Sequence, residues 1–108
     1  MQYISTRGRA PVLDFEQAVL HGLANDNGLY VPATLPKFSQ QEIASWDSFS
    51  YQELAFVLFK PFVGETISDS ELEAIIARSY QRFAHPAIAP LVQIERNQWV
   101  LELSLIHI

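Results

Sequence analysis

At 108 residues, with 49% hydrophobic and 18% charged side chains, the chain has the size and composition of one small globular domain with one core. A net charge of -5, with 7 Lys and Arg scattered along the length, excludes nucleic acid as the main partner, because phosphate neutralisation needs clustered cations. Without cysteine there is neither a disulfide framework nor a thiolate metal site, and no stretch approaches the ~20 apolar residues of a membrane span.

The start, Met1-Gln2-Tyr3-Ile4-Ser5, lacks the basic and apolar regions of a signal peptide, so a cytoplasmic protein is the expectation. Tyr3 to Thr6 reads as a strand whose β-branched and aromatic bias stops at Gly8. Pro11 pushes Ala10 toward extended geometry, which makes residues 9–13 a connector. Asp14 then caps a helix, with Gln17 as its reciprocal partner; Phe15, Val19 and Leu23 recur on one face until about Ala24. Asn25-Asp26-Asn27-Gly28 is a turn, with Gly28 where a left-handed residue is commonly needed. Leu29-Tyr30-Val31-Pro32 leaves it as a short extended segment.

Three Ser-x-x-Glu boxes mark three further helix starts: Ser39 with Glu42, Ser50 with Glu53, and Ser68 with Glu71. Each satisfies backbone N–H groups that a helix start leaves without partners. The second helix runs to about Trp46. The third carries Tyr51, Leu54, Ala55, Leu58 and Phe62 on one side until Pro61 kinks or ends it. The fourth carries Leu72, Ile75, Ile76, Tyr80 and Phe83, and stops at or before His85, ahead of Pro86. After Pro90 the period changes: residues 91–95 and 99–103 flank Arg96-Asn97-Gln98 as a hairpin. The expected fold is a small α+β helical cap with an N-terminal strand and a C-terminal hairpin, its core built on Tyr51, Phe59, Phe62, Tyr80 and Phe83.

Little in this pattern points to catalysis. His21, His85 and His107 sit in no nucleophile–base motif and have no i, i+4 spacing for a metal, so His21 and His85 read as surface or packing residues. Asp69, Glu71 and Glu73 crowd a helix start, where they suit the positive end of the dipole. Asp26-Asn27-Gly28 could cradle an anion with backbone N–H groups, but a plain helix C-terminal turn is the stronger reading. The candidate that remains is Ser5, Thr6 and Arg7: two hydroxyls and a guanidinium at a strand end suit phosphate or carboxylate recognition. The competing reading has Thr6 packing and Arg7 paired with a surface carboxylate.

Five segments in order carry a resemblance: Tyr3-Ile4-Ser5-Thr6-Arg7-Gly8, Leu13-Asp14-Phe15, Asn27-Gly28-Leu29-Tyr30-Val31-Pro32, Phe83-Ala84-His85 and Trp99-Val100-Leu101-Glu102-Leu103. Together, over residues 1–103, they resemble the amino-terminal region of the bacterial threonine synthases. That resemblance implies a parent of the fold-type II, pyridoxal-phosphate-dependent class that converts O-phospho-L-homoserine and water into L-threonine and phosphate. It places residues 1–90 in the amino-terminal domain and residues 91–103 at the start of the cofactor domain. Residues 104–108, Ser104-Leu105-Ile106-His107-Ile108, form a non-matching tail where the family has a Leu-Phe-His-Gly-Pro-Thr run.

The resemblance further implies that the lysine holding the cofactor, in a Phe-Lys-Asp motif, lies beyond the matched part; Lys37 and Lys60 match no family motif. The chain by itself is therefore expected to bind no pyridoxal phosphate and to be inactive, with no catalytic or metal residue of its own. Ser5, Thr6 and Arg7 are expected to face the cleft toward the missing catalytic domain and to bind substrate. The turn departs from the family's frequent Asp-Gly-Gly, having Asn27 instead, which tolerates a left-handed backbone. The alternative is a stand-alone interaction module that shares the cap's architecture, folds cooperatively and stays monodisperse.

Overall fold

The computed structural model describes residues 1–83 and 85–103; the tail at 104–108, and Ala84 of the Phe83-Ala84-His85 match, lie outside the described residues. Strand β1 (Tyr3–Ser5) pairs antiparallel with β2 (Tyr30–Pro32), placing Ser5 opposite Tyr30. The early strand is thus one of a pair, and the extended segment after the turn is its partner. Two isolated bridges, Tyr3 with Leu13 and Leu23 with Leu29, draw the connector and the turn onto this ribbon.

Helices α1 (Phe15–His21), α2 (Gln40–Ser45), α3 (Tyr51–Val63) and α4 (Asp69–Tyr80) follow the caps legible in the sequence. All of them begin with a complete capping box, on Asp14, Ser39, Ser50 and Ser68. In each, the cap side chain accepts from the N3 amide while the N3 side chain reaches back to the cap amide. A short 3-10 turn, Trp46–Ser48, extends α2.

The helix ends differ from expectation more than the starts. Helix α1 stops at His21 because Gly22, at φ 70°, leaves the helical region. Pro61 does not end α3, which continues to Val63. A proline this close to the C-terminus removes a single donor, and Gly64 N still closes the last turn on the Lys60 carbonyl at 2.8 Å. Phe83 lies beyond the end of α4, so it is not part of that helix's stripe.

The core forms where α3 meets α4. Ala55, Val63, Leu72 and Ile76 are buried there, with Phe15, Phe56, Ile67 and Tyr80 packed around them. It is thus more aliphatic than expected: Tyr51 and Phe59 are 41% and 47% exposed. Val19 on α1 and Leu23, just past its end, are likewise exposed, with little over that face among the described residues. Tyr3 joins the ribbon to this core, its hydroxyl donating to the Phe62 carbonyl at 2.8 Å and its ring tilted against Phe15.

A tight turn at buried Ile88 (φ 60°), closed by Ala89 N on the Ala87 carbonyl, leads into the hairpin. Strands β3 (Leu91–Glu95) and β4 (Gln98–Leu101) pair antiparallel around Arg96 and left-handed Asn97, with an irregularity between Gln93 and Glu95. The loop is therefore one residue shorter than expected, since Gln98 belongs to β4. Every residue of both strands is exposed.

Candidate functional site

Ser5 ends β1, and the chain then folds back through a turn in which Gly8 N donates to the Ser5 carbonyl at 2.9 Å. Gly8 itself has φ 70°, a region that disfavours other residues. Across from this loop stands the turn after α1, where Asn27 takes the left-handed conformation at φ 62°. The left-handed residue is thus Asn27 rather than Gly28. Gly28 is needed for another reason: a Cβ there would lie 2.3 Å from Ser5 Oγ, 2.9 Å from Asp26 Oδ1 and 3.1 Å from Thr6 Oγ1.

The two loops meet on the carboxylate of Asp26. Ser5 Oγ donates to it and lies 2.7 and 2.8 Å from its two oxygens. Arg9 N donates to Oδ2 at 3.0 Å, and Gly28 N to Oδ1 at 2.9 Å. Ser5 Oγ in turn accepts from Arg7 N at 3.1 Å. A parallel clasp joins the next residues: Leu29 N donates to Thr6 Oγ1 at 3.0 Å, and Thr6 N to the Leu29 carbonyl at 2.9 Å.

These contacts govern the electrostatics. The Ser5 hydroxyl above all, helped by the Arg9, Gly28 and Ala10 amides, holds the Asp26 carboxyl down to about 2, against a partial desolvation that pushes it up. The carboxylate is therefore charged at any physiological pH, and its charge is spread over donors of the two loops.

The structure separates the three residues singled out in the sequence. Ser5 is only 4% exposed and its hydroxyl is engaged internally. Thr6 has an exposed side chain whose oxygen accepts from Leu29. Arg7 is exposed, and among the described residues no carboxylate forms an ion pair with its guanidinium. Asp26 was missed as their organiser because it stands 21 residues from Ser5. The one local signal is an aspartate two positions before a glycine, which marks a turn and says nothing of what else the carboxylate reaches.

The remaining chemistry is structural. His21 Nε2 lies 3.2 Å from Asn25 Oδ1, and His85 Nδ1 accepts from Ala87 N at 3.0 Å. Among the described residues no group of three or more His, Cys, Asp and Glu is placed to hold a metal ion. Lys60 donates to the Gly64 carbonyl and pairs with Asp69. That hydrogen bond to Asp69 raises its pKa further above the ordinary lysine range, the wrong direction for a nucleophilic amine. A cleft of about 450 Å³ between α1 and α4, lined by Phe15, Val19, Leu20, Ile75 and Arg78, lies apart from Arg7.

Comparison with known proteins follows the same outline. Residues 2–80 match the family described as "Threonine synthase N terminus". The chain is 54% identical over 103 residues to the threonine synthase of Pseudomonas aeruginosa, covering 95% of this chain and 22% of that protein. Among solved structures it resembles pyridoxal-phosphate-bound threonine synthase from Brucella melitensis, with a TM-score of 0.93 and 44% identity, covering 97% of this chain and 23% of that one. The Escherichia coli threonine synthase gives a TM-score of 0.81 at 30% identity, again over 97% of this chain and 23% of that one. The chain thus spans less than a quarter of the length of these relatives.

Proposed function

Because the chain belongs to the threonine synthase family, by its amino-terminal part, we propose that it caps an enzyme making L-threonine and phosphate from O-phospho-L-homoserine and water. Residues 1–90 form the cap, and residues 91–103 open the cofactor domain of a fold-type II parent. The family match ending at residue 80 and the hairpin exposed on both sides support that division. A stand-alone module would hide such a hairpin; here the remainder of the enzyme is the natural cover.

The described residues do not fit pyridoxal phosphate. Lys60 is committed to Asp69 and Gly64, and Lys37 stands outside the clasp, so the cofactor belongs to the catalytic domain, where it would supply an electron sink for carbanion chemistry. No helix among the described residues is long and apolar enough to cross a membrane, and the parent is assigned to the cytoplasm with other enzymes of amino-acid synthesis.

Within this reading the cap's task is to close over a phosphate-bearing substrate and keep water out. Arg7 offers its guanidinium to the substrate's phosphate or carboxylate, while Ser5 and Thr6 shape the loop that presents it. One observation carries this assignment: the two hydroxyls are engaged within the clasp, while the neighbouring guanidinium is exposed and without an ion pair among the described residues. In the full-length enzyme, Arg7→Ala is expected to raise the KM for O-phospho-L-homoserine by about tenfold, the worth of one charge-assisted contact. An unchanged kcat/KM would remove Arg7 from the site. The isolated chain, given pyridoxal phosphate and the same substrate, should release no phosphate above a blank.

A further inference from the structure

We propose that Asp26 is a positioning residue for substrate binding: its carboxylate fixes both ends of the Arg7–Arg9 loop and so sets where the Arg7 guanidinium points. The inference rests on the assignment of Arg7 to the substrate site, and extends it to a residue on a different turn. Arg9 N donates directly to Asp26 Oδ2 at 3.0 Å, which holds the far end of the loop. The near end is held by relay, Arg7 N donating to Ser5 Oγ at 3.1 Å and Ser5 Oγ donating to the carboxylate. Gly28 N, at 2.9 Å from Oδ1, locks the carboxylate against its own turn, so the side chain cannot follow the loop if the loop moves.

The chemistry requires a carboxylate and not merely a polar side chain. Donors converge on Asp26 from Ser5, Arg9 and Gly28, and both oxygens accept. An amide of the same shape would turn an NH2 group toward Arg9 N or Gly28 N, setting donor against donor. Asp26→Asn therefore keeps the volume of the turn while freeing one end of the loop. Because local donors disperse the carboxylate's charge, it can stand near Arg7 without claiming the guanidinium that an anionic substrate needs.

The test uses the full-length enzyme and O-phospho-L-homoserine, comparing Asp26→Asn, Arg7→Ala and the double variant. Asp26→Asn is expected to raise KM by about tenfold with kcat within about threefold, the split of a lost binding geometry rather than of lost chemistry. Combined with Arg7→Ala it should raise KM no further, because both changes remove the same contact. Ser5→Ala, which retains the carboxylate and breaks only the relay, should give a smaller rise and guards against a failure of Asp26→Asn to fold. Amide hydrogen exchange should quicken at Arg7 and Arg9 in Asp26→Asn. If Arg7→Ala raises KM while Asp26→Asn and Ser5→Ala leave it unchanged, the positioning role is wrong and the substrate site stands. If Arg7→Ala changes nothing, the site assignment itself fails. Multiplied effects in the double variant would show that Asp26 acts other than through Arg7, and would also overturn the proposal.

Discussion

The Asp26 clasp and the β3–β4 hairpin each join two segments of the same chain by hydrogen bonds, yet they differ in what holds them. In the clasp, short irregular backbone is fixed by side chains: Ser5 and Asp26 satisfy each other and three amides, and Ser5 is sealed from water. In the hairpin a backbone ladder, irregular only between Gln93 and Glu95, does the joining, but Leu91, Trp99 and Leu101 are 64%, 57% and 49% exposed. Hydrogen bonding settles local geometry in both. Burial shows which of the two is finished within this chain, and only the clasp is.

The most damaging way to break the clasp is Gly28→Val, which drives a side chain into Ser5, Asp26 and Thr6 together. About 2–3 kcal/mol of stability should disappear, read as a lower urea midpoint, because overpacking and loss of the carboxylate's partners act at once. A denaturation curve like wild type would mean the two loops are not held this closely.

Acid gives a gentler break. The Asp26 carboxyl is lowered in the folded chain, from 3.8 to about 2, so its contribution is complete above pH 4 and fades as the pH falls toward 2. The Arg9 amide should lose protection, relative to its intrinsic exchange rate at each pH, as the pH falls through that window, while Asp26→Asn should show no such loss. The hairpin amides, whose ladder involves backbone alone, should pass through the same window without it.

The smallest effect expected in the isolated chain sharpens the contrast from the other side. Trp99→Lys should leave the chain's stability within about 0.5 kcal/mol while reducing self-association on size-exclusion chromatography. The same substitution in the full-length enzyme should cost about 3 kcal/mol, if the remainder of the protein covers that face. Equal effects in both settings would mean that the hairpin is as exposed in the parent as in the chain alone.

Local chemistry was the readable part of the sequence. The four capping boxes are written within four residues each, and all of them form, because both partners of each box lie in one helical turn. The hairpin was readable for the same reason, to within a residue at its loop. Val19 and Leu23 teach the limit: periodicity identifies an apolar face but not whether its cover lies in the same chain. The pairing of β1 with β2, and the meeting of Ser5 with Asp26, join residues 21 or more positions apart. The sequence displays Ser5-Thr6-Arg7 and Asp26-Asn27-Gly28 as separate motifs, and nothing in either names the other. Pro61 misled because proline's effect depends on how many turns follow it, and here almost none does.

The clasp also bears on how the molecule ages. An Asn-Gly pair decays when the glycine nitrogen attacks the asparagine side-chain carbonyl, expelling ammonia and closing a succinimide that water opens to aspartate or isoaspartate. At Asn27-Gly28 that nitrogen is committed to Asp26 Oδ1, and the Asn27 backbone is held in a left-handed turn by Ala24. The ring closes only when the turn lets go. Isoaspartate at position 27 thus accumulates with the time each molecule spends with that turn open.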